Sequence, residues 1–191
     1  MCSSKGDVIM KEKVYTIEVA GVTRHLPIMQ VSPKLAIASF VILGDVEIVN
    51  AASSQLVKKM PQVDWLITAE AKGIPLVHQI ASLLSMKRYI VARKSIKPYM
   101  STPLISEVNS ITTQKKQMLY LDGHDVEIIR GKRVAIVDDV ISTGESIAAV
   151  EKLVRAAGGI VSAKVAILAE GDAAERDDII FLEKLPLFPI E

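Results

Sequence analysis

Two adjacent carboxylates and a group of hydroxyls stand close together in one stretch of the sequence. Asp138 and Asp139 follow an apolar run typical of a buried strand and precede a turn that opens an apolar helix. The turn and the helix start contain Ser142, Thr143, Gly144 and Ser146. Hydroxyls and backbone N–H groups at a helix N-terminus favour a phosphate, whereas carboxylates can accept hydrogen bonds from sugar hydroxyls or hold a divalent cation through water. Together these groups fit a ribose 5-phosphate.

A plainer interpretation of the same stretch is an acidic pair followed by an ordinary Ser/Thr helix cap. The full combination of apolar strand, paired aspartates, hydroxyl turn and apolar helix is harder to obtain from capping alone. Neither the P-loop pattern nor the glycine-rich dinucleotide-binding pattern is present in the chain. The hydroxyl turn is therefore the candidate phosphate site.

Strand and helix patterns alternate along the chain and would position this turn at one edge of a sheet. The spacing predicts strands at residues 14–22, 65–68, 89–92, 118–121, 133–137 and 160–169, and helices at 45–60, 75–84 and 147–157, the first with Asp45 as N-cap. Ligands bind at the carboxyl ends of the strands in such sheets. We therefore predict a single α/β domain over residues 1–191, with a mostly parallel sheet flanked by helices.

Composition excludes several classes of function. Among 191 residues, 23 Lys plus Arg and 22 Asp plus Glu leave a net charge of +1, which argues against a nucleic-acid partner. The longest uncharged apolar run, residues 35–44, is too short to span a membrane, and no secretory signal is visible, so we expect a cytoplasmic protein without a membrane partner. The histidines, His25, His78 and His124, lack metal-ligand spacing, so no metal site of the chain's own is expected.

The stretch 134–146 resembles the signature of the type I phosphoribosyltransferases, which bind phosphoribosyl pyrophosphate. The resemblance implies a twisted parallel sheet with a small hood built from the N- and C-terminal segments. It assigns the ribose hydroxyls to Asp138 and Asp139 and the 5-phosphate to the segment Ser142, Thr143, Gly144, Glu145 and Ser146. Glu145 departs from the small residue usual in the family, and we expect its side chain to point outward.

Two further segments resemble the pyrophosphate-binding parts of purine phosphoribosyltransferases. One is the loop formed by Glu70, Ala71, Lys72 and Gly73, in which Lys72 would be the cation that holds the leaving group. The other contains Arg93, Lys94 and Lys97 and resembles an adenine-type segment that lies at a dimer interface. The resemblance implies a homodimer and Mg²⁺ bound through phosphoribosyl pyrophosphate.

The resemblance also identifies a flexible hood loop at about residues 100–117. Thr112 stands where adenine-specific members carry an acidic residue, and with Asp139 and Lys72 it completes the candidate catalytic set, although a threonine cannot act as a general acid at neutral pH. Ile28 and Met29 occupy the base-binding positions near the N-terminus. They could sandwich a flat base, and plain core packing explains them equally well.

The resemblance implies a pentosyltransferase of purine salvage that transfers ribose 5-phosphate from phosphoribosyl pyrophosphate to a purine base. Adenine is the favoured base, because residues 93–98 and the C-terminal segment resemble the adenine-type enzymes. Xanthine or another 6-oxopurine remains an alternative. A second alternative is a non-catalytic regulator that senses phosphoribosyl pyrophosphate, since the acidic hood residue is missing.

Overall fold

The computed structural model describes residues 13–108 and 117–190. Its strands are β1 (Val14–Val19), β2 (Val22–Ser32), β3 (Leu35–Ala38), β4 (Trp65–Ala69), β5 (Ile90–Ala92), β6 (Leu104–Val108), β7 (Gln117–Leu121), β8 (Arg133–Ile141), β9 (Ile160–Glu170), β10 (Glu183–Leu185) and β11 (Leu187–Pro189). Its helices are α1 (Val46–Lys59), α2 (Ile74–Leu83), α3 (Gly123–Ile129) and α4 (Glu145–Ala156), with a 3₁₀ turn at Gly171–Glu175. No described helix is long and apolar enough to cross a membrane.

The central sheet is parallel, with the strand order β10-β9-β8-β4-β5. Residues 134–137 of β8 are fully buried because apolar clusters cover both faces of the sheet. One cluster includes side chains of α1 and α2, and the other includes side chains of α3 and α4. This architecture confirms the predicted α/β fold, in which a strand buried on both faces is a continuous apolar run.

A second, antiparallel sheet forms the hood and has the order β1-β2-β3-β11. It combines both ends of the described chain, because Leu187 of β11 pairs with Ile37 of β3. The backbone N–H of Ile190 also donates to the Lys34 carbonyl at 3.0 Å. The predicted hood of N- and C-terminal segments is thereby confirmed.

Local signals explain the elements that were predicted correctly. The Asp45 carboxylate accepts a hydrogen bond from the Ile48 N–H at 3.2 Å and caps α1 as expected. The predicted strand at 14–22 is shorter, since the chain turns at Ala20 and Gly21 and continues as β2. Strands β2, β3, β6, β10 and β11 and helix α3 were not predicted. Their sequences carry little periodicity, and β6 is held by antiparallel pairing with β7, as between Leu104 and Leu121.

One ion-pair cluster fastens the hood to the central domain. Arg24 of β2 donates to both Asp45 carboxylate oxygens at 2.7 and 2.8 Å and to Glu47 at 2.8 Å. The Arg24 guanidinium lowers the pKa of Asp45, and the hydrogen bonds that Arg24 donates to Asp45 and Glu47 raise the pKa of Arg24. The N-cap of α1 is therefore also the anchor of the hood strand.

Replacement of Arg24 tests this anchor. We expect Arg24→Ala to lower the free energy of unfolding by about 1 kcal/mol, because it removes a bidentate, partly buried pair. Asp45→Ala should cost about 2 kcal/mol, since it removes the helix cap as well. Urea unfolding measures both, and Glu47→Gln, which removes only the exposed arm of the cluster, is the matched control. Equal stability of Arg24→Ala and Glu47→Gln would contradict the anchor.

Candidate functional site

The candidate site lies where the chain reverses its direction across the central sheet. Strands β4 and β8 are neighbours, but the chain continues from β4 to β5 on one side and from β8 to β9 on the other. The loops that follow β4 and β8 therefore diverge and leave a crevice at the carboxyl ends of the strands, which is where open α/β sheets bind ligands. The loop after β4, Glu70 to Gly73, is called the Lys72 loop below, and the loop Ser142 to Ser146 after β8 is called the hydroxyl loop.

Gly73 brings the Lys72 loop against the end of β8. A Cβ at this position would clash with the Thr68 hydroxyl and would lie 3.2 Å from the Val137 carbonyl oxygen and 3.3 Å from the Asp138 Cα. The Thr68 side chain is fully buried and cannot swing into solvent. A glycine is therefore required here for close approach of two backbones.

This approach joins Lys72 to Asp139. The Lys72 ammonium lies 3.3 Å from Asp139 Oδ2, and the two side chains are 51% and 4% exposed. Asp139 Oδ2 is buried and makes no hydrogen bond within the described chain, so the pair is a charge contact without good hydrogen-bond geometry. The Asp139 carboxylate can therefore accept a hydrogen bond from a ligand. The accessible Lys72 ammonium beside it can contact an anionic group of the same ligand.

The hydroxyl loop encloses a small cavity of about 100 Å³. Its lining residues are Asp138, Val140, Ile141, Ser142, Thr143, Gly144, Ser146 and Ile147. The predicted phosphate residues therefore come together, except that Glu145 does not line the cavity. The positive φ of Gly144, 80°, turns the chain so that α4 starts at the cavity.

The two aspartates differ in their surroundings. Asp138 faces the cavity and accepts a hydrogen bond from the Asp139 N–H at 2.9 Å. Burial, together with the neighbouring charge of Asp139, raises the pKa of Asp138 to about 7. No group of three or more His, Cys, Asp and Glu side chains suited to a metal ion occurs among the described residues. A metal ion held by the acidic pair would therefore complete its coordination with water or with oxygens of a ligand.

The Glu70 carboxylate interacts with a second group of cations, the segment after β5 that contains Arg93, Lys94 and Lys97. The carboxylate lies 3.0 Å from Arg93 Nη2 and accepts a hydrogen bond from the Lys94 N–H at 2.9 Å. The Lys94 N–H, followed by the charges of Arg93 and Lys97, lowers the pKa of Glu70. Arg93 also donates to the Tyr99 hydroxyl at 3.0 Å. The structure therefore connects the Lys72 loop, which also includes Ala71, to the segment after β5.

The remaining candidate residues divide between these groups and the hood. Lys97 belongs with Glu70, whose pKa its charge helps to lower, and its ammonium donates to the Ser95 hydroxyl at 2.7 Å. Ile28 and Met29 lie on β2 in the hood sheet, with Met29 54% exposed, and neither lines the cavity of the hydroxyl loop. Thr112 lies outside the described residues, as do residues 109–116 of the predicted hood loop, whereas residues 104–108 of that loop form β6.

One neighbour of the site was not identified from the sequence. Arg176 follows the 3₁₀ turn, and its Nη1 would lie 2.6 Å from a Cβ built on Gly144. No motif marks Arg176, because it lies far from the hydroxyl loop in the sequence. Only the fold brings the two together.

A known family model covers the part of the chain that contains the candidate site. The family model described as "Phosphoribosyl transferase domain" matches residues 43–184, which include both loops but little of the hood. A hypoxanthine/guanine phosphoribosyltransferase of Methanothrix thermoacetophila is 35% identical over 114 residues, covering 60% of this chain and 56% of that protein. Its counterpart in Ferroglobus placidus is 33% identical over 133 residues, covering 69% and 67%. The matches thus span between about half and two thirds of these relatives.

Solved structures share the whole fold. An adenine phosphoribosyltransferase from Thermoanaerobacter pseudethanolicus superposes with a TM-score of 0.63 at 24% identity, over 90% of this chain and 95% of that chain. The enzyme of the same name from Rhodothermus marinus has a TM-score of 0.64 at 20% identity, over 90% and 94%. At these identities the superpositions establish the fold only. The family match over residues 43–184 and the shared fold show that this chain belongs to the phosphoribosyl transferase domain family, as the residues around Asp138 and Asp139 indicated.

Proposed function

We propose that this protein is a purine phosphoribosyltransferase, which transfers ribose 5-phosphate from phosphoribosyl pyrophosphate to a purine base. The observation that carries the proposal is the 3.3 Å contact between Lys72 and Asp139, directly beside the cavity of the hydroxyl loop. It brings an accessible cation, two carboxylates and a hydroxyl-lined pocket into one crevice. The order of these three groups matches the order of pyrophosphate, ribose hydroxyls and 5-phosphate in phosphoribosyl pyrophosphate.

The proposed reaction is a displacement at the anomeric carbon of the ribose. A nitrogen of the base forms the new bond to carbon as the bond to the pyrophosphate oxygen breaks, and the base nitrogen loses its proton to solvent. Negative charge grows on the departing pyrophosphate, where Lys72 stabilises it, and positive charge grows on the sugar, near the carboxylates of Asp138 and Asp139. Positioning and electrostatics account for the rate, with no covalent intermediate.

Each of the two cation groups forms an ion pair with a carboxylate of the same chain. Lys72 faces Asp139, and Arg93 faces Glu70. We propose that pyrophosphate replaces these contacts, with Mg²⁺ entering as part of the substrate complex and the acidic pair near it. The half-exposed Lys72 is free to swing toward the substrate, and Asp139 is then free to accept from a ribose hydroxyl.

For the base we propose a 6-oxopurine, hypoxanthine or guanine, as the first candidate. The relatives that share about a third of their residues with this chain carry that name. Adenine is the second candidate, supported by the likeness of Arg93, Lys94 and Lys97 to the adenine-type segment. The two candidates share every step at the ribose and differ only in how the hood recognises the base.

We also propose that the protein forms a homodimer. Val41, Leu43 and Val46 are apolar and at least half exposed, next to a cleft of about 300 Å³ between the starts of α1 and α2. Clustered exposed apolar residues are typical of a protein interface.

A base-screening assay tests the proposed reaction. The protein with Mg²⁺ and phosphoribosyl pyrophosphate is given adenine, hypoxanthine, guanine or xanthine in turn, and nucleotide and pyrophosphate are measured. We expect one base or one pair of related bases to give product. Tight binding of phosphoribosyl pyrophosphate without product from any base would favour the non-catalytic regulator.

Lys72 is expected to act mainly in the reaction step. Lys72→Ala should lower kcat by roughly a hundredfold, because a cation aimed at developing charge is lost. Lys87→Ala, which removes an exposed lysine after α2, is the matched control and should retain the wild-type rate. Thermal unfolding of both variants checks that the fold is kept. A wild-type kcat for Lys72→Ala would remove Lys72 from the site.

Proton release on ligand binding tests the role of Asp138. Sugar hydroxyls donate to the ionised carboxylate, so binding must lower the pKa of Asp138 from about 7 and expel its proton. Affinity for ribose 5-phosphate should therefore rise as the pH increases through about 7. Calorimetry in buffers of different ionisation enthalpy measures the released proton. Asp138→Asn should remove this release, and an unchanged release would exclude Asp138 as its source.

A further inference from the structure

We infer that Arg176 is a positioning residue for the sugar phosphate: it holds the hydroxyl loop in its binding shape and supplies positive charge behind it. This inference deepens the proposed function and rests on it. It concerns the 5-phosphate end of the substrate and leaves the pyrophosphate end to Lys72 and its neighbours.

The first support is the contact with Gly144. A Cβ on Gly144 would lie 2.6 Å from Arg176 Nη1 and 3.8 Å from Arg176 Cζ, so the guanidinium covers the glycine from outside the cavity. Arg176 does not line the cavity itself. Arg176 would therefore act on a bound phosphate indirectly, by holding the hydroxyl loop and by its positive charge.

The second support is the fixed orientation of the guanidinium. Arg176 Nε and Nη2 donate to the two Asp178 carboxylate oxygens, both at 2.8 Å. Asp178 also accepts from the Lys164 ammonium at 2.8 Å, and Lys164 lies 2.7 Å from Glu151 of α4. A bidentate pair backed by a second cation allows little rotation. Within the described chain, the hydrogen bonds of Arg176 use Nε and Nη2 only, which leaves Nη1 directed at the loop.

The third support is the charge around the cavity. Asp138 is the acidic member of the lining, and Asp139 follows it. A phosphate that enters this pocket meets carboxylates, which oppose it, besides the hydroxyls and N–H groups that attract it. A guanidinium fixed against Gly144 offsets part of that repulsion.

Binding of two probes separates a role in the hydroxyl loop from a general effect on the fold. Calorimetry with ribose 5-phosphate and with pyrophosphate compares wild type, Arg176→Ala and the control Arg155→Ala. Arg155 belongs to the same charge network through Glu151 but lies at the far end of α4. We expect Arg176→Ala to bind ribose 5-phosphate roughly tenfold more weakly, because a nearby positive charge is lost. Pyrophosphate affinity should be unchanged, and Arg155→Ala should bind both probes as the wild type does.

Conservative variants and a double-mutant cycle test the same contact. Arg176→Lys should recover part of the lost affinity, whereas Arg176→Gln should not. Gly144→Ala should lower the melting temperature less in the Arg176→Ala background than in the wild type, because the clash with Nη1 is then absent and only the strain of positive φ remains.

The outcomes distinguish this inference from the proposed function. Equal ribose 5-phosphate affinity in wild type and Arg176→Ala would overturn the role of Arg176 and leave the proposed function intact. A parallel loss of pyrophosphate affinity would also overturn it, since it would indicate a general effect. Failure of the wild-type protein to bind ribose 5-phosphate would refute both.

Discussion

The close approach of Gly73 to the end of β8 is the contact on which the candidate site depends. Two parallel strands bring their carboxyl ends side by side, but the loops that follow are diverging and would separate without it. The absence of a side chain at Gly73 lets the loop settle against Val137 and Asp138. Lys72, one residue earlier, is thereby carried to Asp139. A larger residue at position 73 would therefore move the Lys72 ammonium away from the Asp139 carboxylate.

The site is balanced in charge before any ligand arrives. Lys72 and Arg93 each face a carboxylate of the same chain, and Lys164 and Arg176 share Asp178. The near-neutral total of the sequence reflects this local matching rather than a scarcity of charge. Lys72 is half exposed, so it can exchange its contact with Asp139 for one with a polyanionic ligand, provided that the buried Asp139 carboxylate gains a hydrogen-bond donor from the same ligand. In the structure these carboxylates keep the side chains of the cations oriented.

Sequence reasoning was most successful where the signal is local. The apolar run of β8, the paired aspartates and the cap at Asp45 can each be recognised within a few residues, although β8 continues through both aspartates to Ile141 instead of ending at residue 137. The hood strand β3, the strand β6 and the contact of Arg176 with Gly144 depend on partners far away in the sequence. Glu70 illustrates the intermediate case: its loop was predicted, but its hold on Arg93 and on the Lys94 N–H needs the geometry of β5.

The pairing of β11 with β3 has a consequence for biosynthesis. Ile37 is made early, and its partner Leu187 is made after nearly all of the described chain. During translation the edge of β3 that pairs with β11 therefore stays unpaired, and an unpaired strand edge can form hydrogen bonds with other chains. Strands β4, β5, β8 and β9 of the central sheet can pair first, because their crossovers are local, while β10 and β11 join only after residues 183–189 have left the ribosome. Loss of β11 alone should consequently lead to aggregation of newly made protein, with the four early strands of the central sheet still able to pair.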